Sequence, residues 1–184
     1  MRTMLAIARA LRKRSPPMPM NPSSADPTSP LWRRLLALVY DLLIVVALVM
    51  VVGLLCQLAT GGRLIDTGAR TAVPPWYQAL QGVVVSTYFI SSWLRGGQTI
   101  GMRPWHIRVT RDDGGAPLPR QAATRVLAAA APLLLLLLEP WLGLQPTLWT
   151  LLAAWAGWFA VALLDPRRRA LHDILAATEV RLTD

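Results

Sequence analysis

Four apolar runs separated by polar connections set the pattern of this chain. The first, 35–59, holds 25 positions and a single charge, Asp41. At 1.5 Å per residue it makes a helix about 37 Å long, enough to cross about 30 Å of hydrocarbon with some tilt. The second run, 76–94, carries no charge. The third, 122–140, has Arg125 near its start, leucine at every position from 133 to 138, and Glu139-Pro140 at its end. Pro132 fits there as a kink or within the first turns. The fourth, 147–164, is again uncharged. The pattern predicts four transmembrane helices over these ranges. Trp32, Trp76, Trp93, Trp141 and Trp149 fall at the predicted ends, the level that amphipathic rings prefer.

The connections have their own character. Residues 1–30 are basic and rich in proline and serine, which predicts a flexible segment without a core role. Its first 14 residues hold too short an apolar stretch for a signal peptide. They read as a basic surface helix or as sequence upstream of a start at Met18 or Met20. The connection 95–121 is too long for a turn. Trp105 to Thr110 alternates and is β-branched, and Asp112-Asp113-Gly114-Gly115 supplies turn chemistry rather than a metal site. The tail ends in a second strand-like stretch, 178–182, which is set to pair with 105–110. The expected fold is therefore an all-α membrane protein with a small cytoplasmic strand and turn element.

Composition agrees with that picture. Apolar residues make up 54% and charged residues 16% of 184 positions, against about 45–50% and about 25% in soluble domains. The net charge of +9 first suggests an anionic partner. Its distribution says otherwise. Seven basic residues precede the first run, two lie in the first connection, six run from Arg95 through Arg125, none lies in the third connection and four lie in the tail. With both termini cytoplasmic, seventeen of the nineteen fall inside, as the positive-inside rule favours. The basic residues are not interleaved with stacking aromatics, so no nucleic-acid partner is expected. One cysteine, Cys56, excludes an internal disulfide and reads as a buried small hydrophobe.

Asp41 is the most informative residue. A carboxylate inside a span costs at least about 2.5–3.5 kcal/mol and so marks a structural or functional site. Arg34 lies on the same helix face but about 10.5 Å away along the axis, too far to touch it. Arg125, at a similar depth on the third span, is the expected partner. Two readings stand side by side: a structural ion pair that fixes helix packing, and a cation or proton site. Gly53, Ala153, Ala156, Gly157 and Ala160 have the spacing of closely packed helices. His172-Asp173 has no accompanying nucleophile motif, and neither an enzyme nor a cofactor or metal is expected.

Three motifs in order resemble the RDD family of membrane proteins over residues 31–181. Arg34 and Asp41 match the opening arginine and aspartate. Gly97-Gln98-Thr99-Ile100-Gly101-Met102-Arg103, followed by Arg108-Val109 and later Arg125, is similar to the family's loop. Asp165, Arg169 and Leu171-His172-Asp173 are similar to its tail. The resemblance implies that Arg34, Asp41 and Asp173 are the arginine and two aspartates of the family name. It also implies a multi-pass protein of a bacterial inner membrane. Some members are described as cation/proton antiporters, so the expected function is a small cation/proton transporter or transporter subunit using Asp41. The alternative is a non-catalytic membrane scaffold. The expected partners are the lipid bilayer and either a second copy or another membrane protein. The motif residues are expected to form one cytoplasmic polar cluster. In it the Leu171-His172-Asp173 segment docks on the 97–103 loop, and Asp173 pairs with an arginine.

Overall fold

A computed structural model describes residues 28–64 and 73–183. The basic head, 1–27, lies outside the described residues, as does Arg70 of the first connection. Helix α1 spans Leu31–Ala59 and α2 spans Pro75–Gly96. A single 3₁₀ turn, Arg103–Trp105, leads into strand β1, Ile107–Arg111. Helix α3, Pro119–Ala130, continues as a 3₁₀ stretch, Ala131–Leu138, into the short α4, Glu139–Leu142. Helix α5 is Leu144–Leu164, α6 is Leu171–Leu175, and β2 is Thr178–Leu182.

Among the described helices, three are long and apolar enough to cross a membrane: Leu31–Ala59, Pro119–Leu142 and Leu144–Leu164. Helix α2 has 22 residues but is diluted by Gln78, Gln81, Ser86, Thr87, Ser91 and Ser92. Helix α1 starts four residues before the expected run and so takes in Arg33 and Arg34. Pro30 ends the extended lead-in, and Pro sits at the first turn of α2 and α3 as well.

Pro132 explains the 3₁₀ stretch. It cannot donate the helical bond to the Ala128 carbonyl. Instead Ala131 N–H reaches that carbonyl in the tighter pattern. The Trp158 indole also donates to it at 3.2 Å, and Trp155 donates to the Ala129 carbonyl at 3.2 Å. Two tryptophans of α5 thereby add indole donors to backbone oxygens beside the proline. Gly53 packs as expected, since a Cβ there would stand 2.8 Å from the Tyr77 hydroxyl. The small residues of α5 do not: Ala153, Ala156, Gly157 and Ala160 are exposed.

The strand pairing is as expected. Strands β1 and β2 are antiparallel, with Val109 opposite Val180. The turn at 112–115 also forms, with Gly114 at φ 81° and Asp113 accepting the Gly115 N–H at 2.9 Å. This ribbon sits over one end of the helices. There Ile107 and Val109 are fully buried against Ala37, Trp93, Met102 and Ala122. Each buried aliphatic side chain contributes about 1.5–3 kcal/mol. Elsewhere the helices are mostly exposed and apolar, as on α1 at Leu43, Met50 and Leu58.

Three sequence expectations change. Trp93 is core rather than an interfacial anchor, because the connection 97–111 folds back over it. Cys56 is only half-buried. The lead-in is tied down from Thr28 onward, and Ser29 is fully buried, its N–H donating to the Val180 carbonyl at 3.0 Å.

Candidate functional site

The motif residues separate into two buried centres rather than one cluster. The first surrounds Asp41, which is 4% exposed. Its carboxylate accepts the Thr99 hydroxyl at 2.5 Å, the Tyr88 hydroxyl at 2.8 Å and the Gly101 N–H at 3.0 Å. Both hydroxyls are themselves oriented by backbone donors. Ile100 N–H points to Tyr88 at 3.2 Å, and Met102 N–H points to Thr99 at 3.3 Å. Each hydroxyl therefore turns its own proton to the carboxylate. Arg125 is not the partner of Asp41, contrary to expectation: the 97–103 loop stands beside that turn of α1 and meets the charge with neutral donors.

The loop motif explains itself in this geometry. Gly97 caps α2 at φ 72°, where a Cβ would also lie 2.5 Å from the Val109 carbonyl. Gln98 donates to the Ile107 carbonyl at 3.0 Å and so holds the loop to the ribbon. Gly101 lies against α1, with no room for a side chain between Ala37 and Asp41. Arg103 is exposed, and Arg108 is half-buried on β1.

The second centre surrounds Asp173, 1% exposed. Arg34 Nη1 lies 3.4 Å from Oδ2, and Arg125 pairs with Oδ1. The Ala170 N–H donates to Oδ2 at 3.0 Å. Arg34 uses the rest of its fork on the Ser29 hydroxyl at 2.8 Å, the Val180 carbonyl at 3.0 Å and the Arg168 carbonyl. Arg125 donates to Thr178 at 2.9 Å and stacks 5.0 Å over the Trp93 ring. The expected pairing of Asp173 with an arginine is present, twice over. The expected docking of the Leu171-His172-Asp173 segment on the loop is not: α6 packs on α3 and α5 instead. Asp165 and Arg169 form a separate pair at 3.0 Å near the surface.

Burial and charge set the protonation states. Burial by itself would raise the Asp173 carboxyl, but Arg125, His172 and Arg34 outweigh it and hold the group below its ordinary value. Arg169 draws Asp165 down to about 2 through its side chain and backbone N–H. Burial and the nearby Arg125 push His172 down to about 4, so its Nε2, 3.4 Å from Asp173, belongs to a neutral ring at pH 7. An unfolded chain binds that proton near pH 6.5 while the folded one resists it until about pH 4. Unfolding thus takes up a proton in this window, and stability falls as pH drops from 6.5 towards 4. Asp173 adds a loss only below its unfolded value of 3.8. Replacing His172→Gln is expected to flatten the decline between pH 6.5 and 4. Thermal unfolding of the detergent-solubilised chain across that range measures it, and an unchanged slope would contradict the assignment.

Tyr88, Ser29 and Thr178 belong to the site although the sequence did not single them out as such, and Thr99 stood in the loop motif without a role assigned to it. One signal existed for Tyr88. Asp41 stands about 15 Å along α1 from its start and Tyr88 about 12 Å from the end of α2, a matched depth in antiparallel neighbours. No group of three His, Cys, Asp or Glu residues able to hold a metal occurs among the described residues. The chain matches the RDD family model over residues 28–177. No curated protein and no solved structure matches.

Proposed function

The chain belongs to the RDD family of membrane proteins, and on that footing we propose a four-span protein of the bacterial inner membrane, both termini cytoplasmic, acting as a non-catalytic scaffold or assembly subunit. One observation carries the functional part: the motif carboxylates are already satisfied within the chain. Asp41 meets three donors, Asp173 two arginines and a backbone N–H, and Asp165 the guanidinium and backbone N–H of Arg169. A cation at Asp41 would face the Gly101 N–H and two hydroxyl protons instead of oxygen lone pairs. The motif reads as a clasp that fastens the ribbon to the helices, and the clasped face is the docking platform.

The positions of the helix ends support four crossings. The start of α1, the end of α2, the start of α3 and the segment just after α5 all gather at the ribbon and its turn, through Arg34, Gly97, Arg125 and Arg167. An even number of crossings returns the chain to one side. The arginines concentrated there support a cytoplasmic assignment of that side.

A transporter remains the second reading, because Asp41 forms no ion pair among the described residues. Asp41→Asn separates the two. The scaffold reading expects a loss of about 2 kcal/mol or more, from weakened hydrogen bonds to a charged group, together with background cation flux in proteoliposomes of either form. A pH-coupled flux in the unaltered chain, abolished in a folded Asp41→Asn, would overturn it.

A further inference from the structure

Beside the first turn of α1 lies a cavity of about 430 Å³ lined by Trp32, Arg33, Pro104, Trp105, His106 and Thr183. It belongs to neither centre of the motif. Arg33 is held there by its neighbours: Nη1 donates to the Trp105 carbonyl at 3.3 Å, and Cζ stands 5.2 Å over the Trp32 ring. The two indoles meet edge to face at 5.8 Å. Yet Arg33 Nε and Trp105 Nε1 are both buried and meet no acceptor among the described residues. Both belong to residues that line the cavity, and the Arg33 guanidinium makes that lining cationic, complementary to an anionic oxygen.

The surroundings identify the source of that anion. At 29 residues α1 is about 43 Å long, the thickness of hydrocarbon plus headgroups, about 40–45 Å. That places Trp32 and Arg33 at headgroup level. Below the cavity the outer face of α1 is exposed and apolar, through Leu36, Tyr40 and Leu43. Tyr40 also packs edge to face on Trp105 at 6.0 Å, so cavity and apolar face are continuous. We propose that this cavity binds the phosphate headgroup of an anionic phospholipid, with the acyl chains along α1. The site rests on α1 lying in a bilayer and does not depend on the scaffold reading.

The test is native mass spectrometry of the full detergent-solubilised chain, titrated with phosphatidylglycerol or with phosphatidylcholine. The expected result is one phosphatidylglycerol retained in preference to phosphatidylcholine and not displaced by millimolar inorganic phosphate. Arg33→Gln weakens its retention about tenfold, the loss of a charge-assisted hydrogen bond. Trp105→Phe keeps a ring but removes the N–H, and weakens retention about threefold. Arg120→Gln, an exposed position outside the cavity, leaves it unchanged. Equal retention of the two lipids, equal weakening by Arg120→Gln, or displacement by free phosphate would each overturn the proposal. Should Arg33→Gln fail to fold, Trp105→Phe alone decides.

Discussion

Asp173→Asn should be the most damaging single substitution in the chain. It leaves Arg34 and Arg125, 8% and 4% exposed, facing a neutral amide. Removing one partner of a buried ion pair costs about 3–5 kcal/mol, because the remaining charge is stranded without water. Here two charges are stranded together. They also repel each other once the carboxylate between them is gone. The expected result is a fall in the unfolding midpoint on the order of 10 °C, with loss of the monodisperse peak in size-exclusion chromatography. A double substitution sharpens the test. Arg125→Met removes one stranded cation and fills its volume with apolar atoms, so the pair Arg125→Met and Asp173→Asn should be less damaging than the sum of the singles. An Asp173→Asn protein that melts with the unaltered one would show that the clasp does not hold the fold.

Gly101→Ala ranks next, for a steric rather than an electrostatic reason. The added Cβ would lie 2.5 Å from the Ala37 carbonyl oxygen and 2.7 Å from both the Asp41 amide nitrogen and Cγ. Two of these three atoms are helix backbone, which cannot turn aside. The loop must lift, and lifting it breaks the Gly101 N–H bond to Asp41 and strains the Thr99 bond. Overpacking and a lost charge-assisted bond together cost about 3 kcal/mol or more. Gly96→Ala is the control, since a Cβ there meets nothing within 4 Å. Hydrogen exchange at residues 97–103 should accelerate in Gly101→Ala and stay unchanged in Gly96→Ala. Equal protection in both would mean that the loop does not need its close approach.

The Asp41 centre shows how far the residues could be read without coordinates. A lone carboxylate in an apolar run is visible as an anomaly, because its cost in hydrocarbon is known. What satisfies it is not visible. Arginine is the obvious partner by charge, and Arg125 lies at a suitable depth. The actual donors are two hydroxyls and a backbone N–H. Backbone donors carry no sequence signal, and Tyr88 and Thr99 each resemble an ordinary polar residue near a span end. Once the loop supplies these, Arg125 is free to meet Asp173 from another element.

The elements are legible along the chain: apolar run length gives the long helices, alternation and a Gly-rich turn give the two strands, and the arginine count gives the orientation proposed for them. Each is read along the chain, from neighbouring positions or from a sum over the connections, without knowing which segments meet. Tertiary structure decided the partners. The helix ends meet at the ribbon, and only there does it emerge which arginine faces which aspartate, why Trp93 is core, and why the small residues of α5 stay exposed. Pairing depends on which surfaces the fold brings within about 4 Å, and residues separated by 139 positions, such as Arg34 and Asp173, hold no record of that in their spacing.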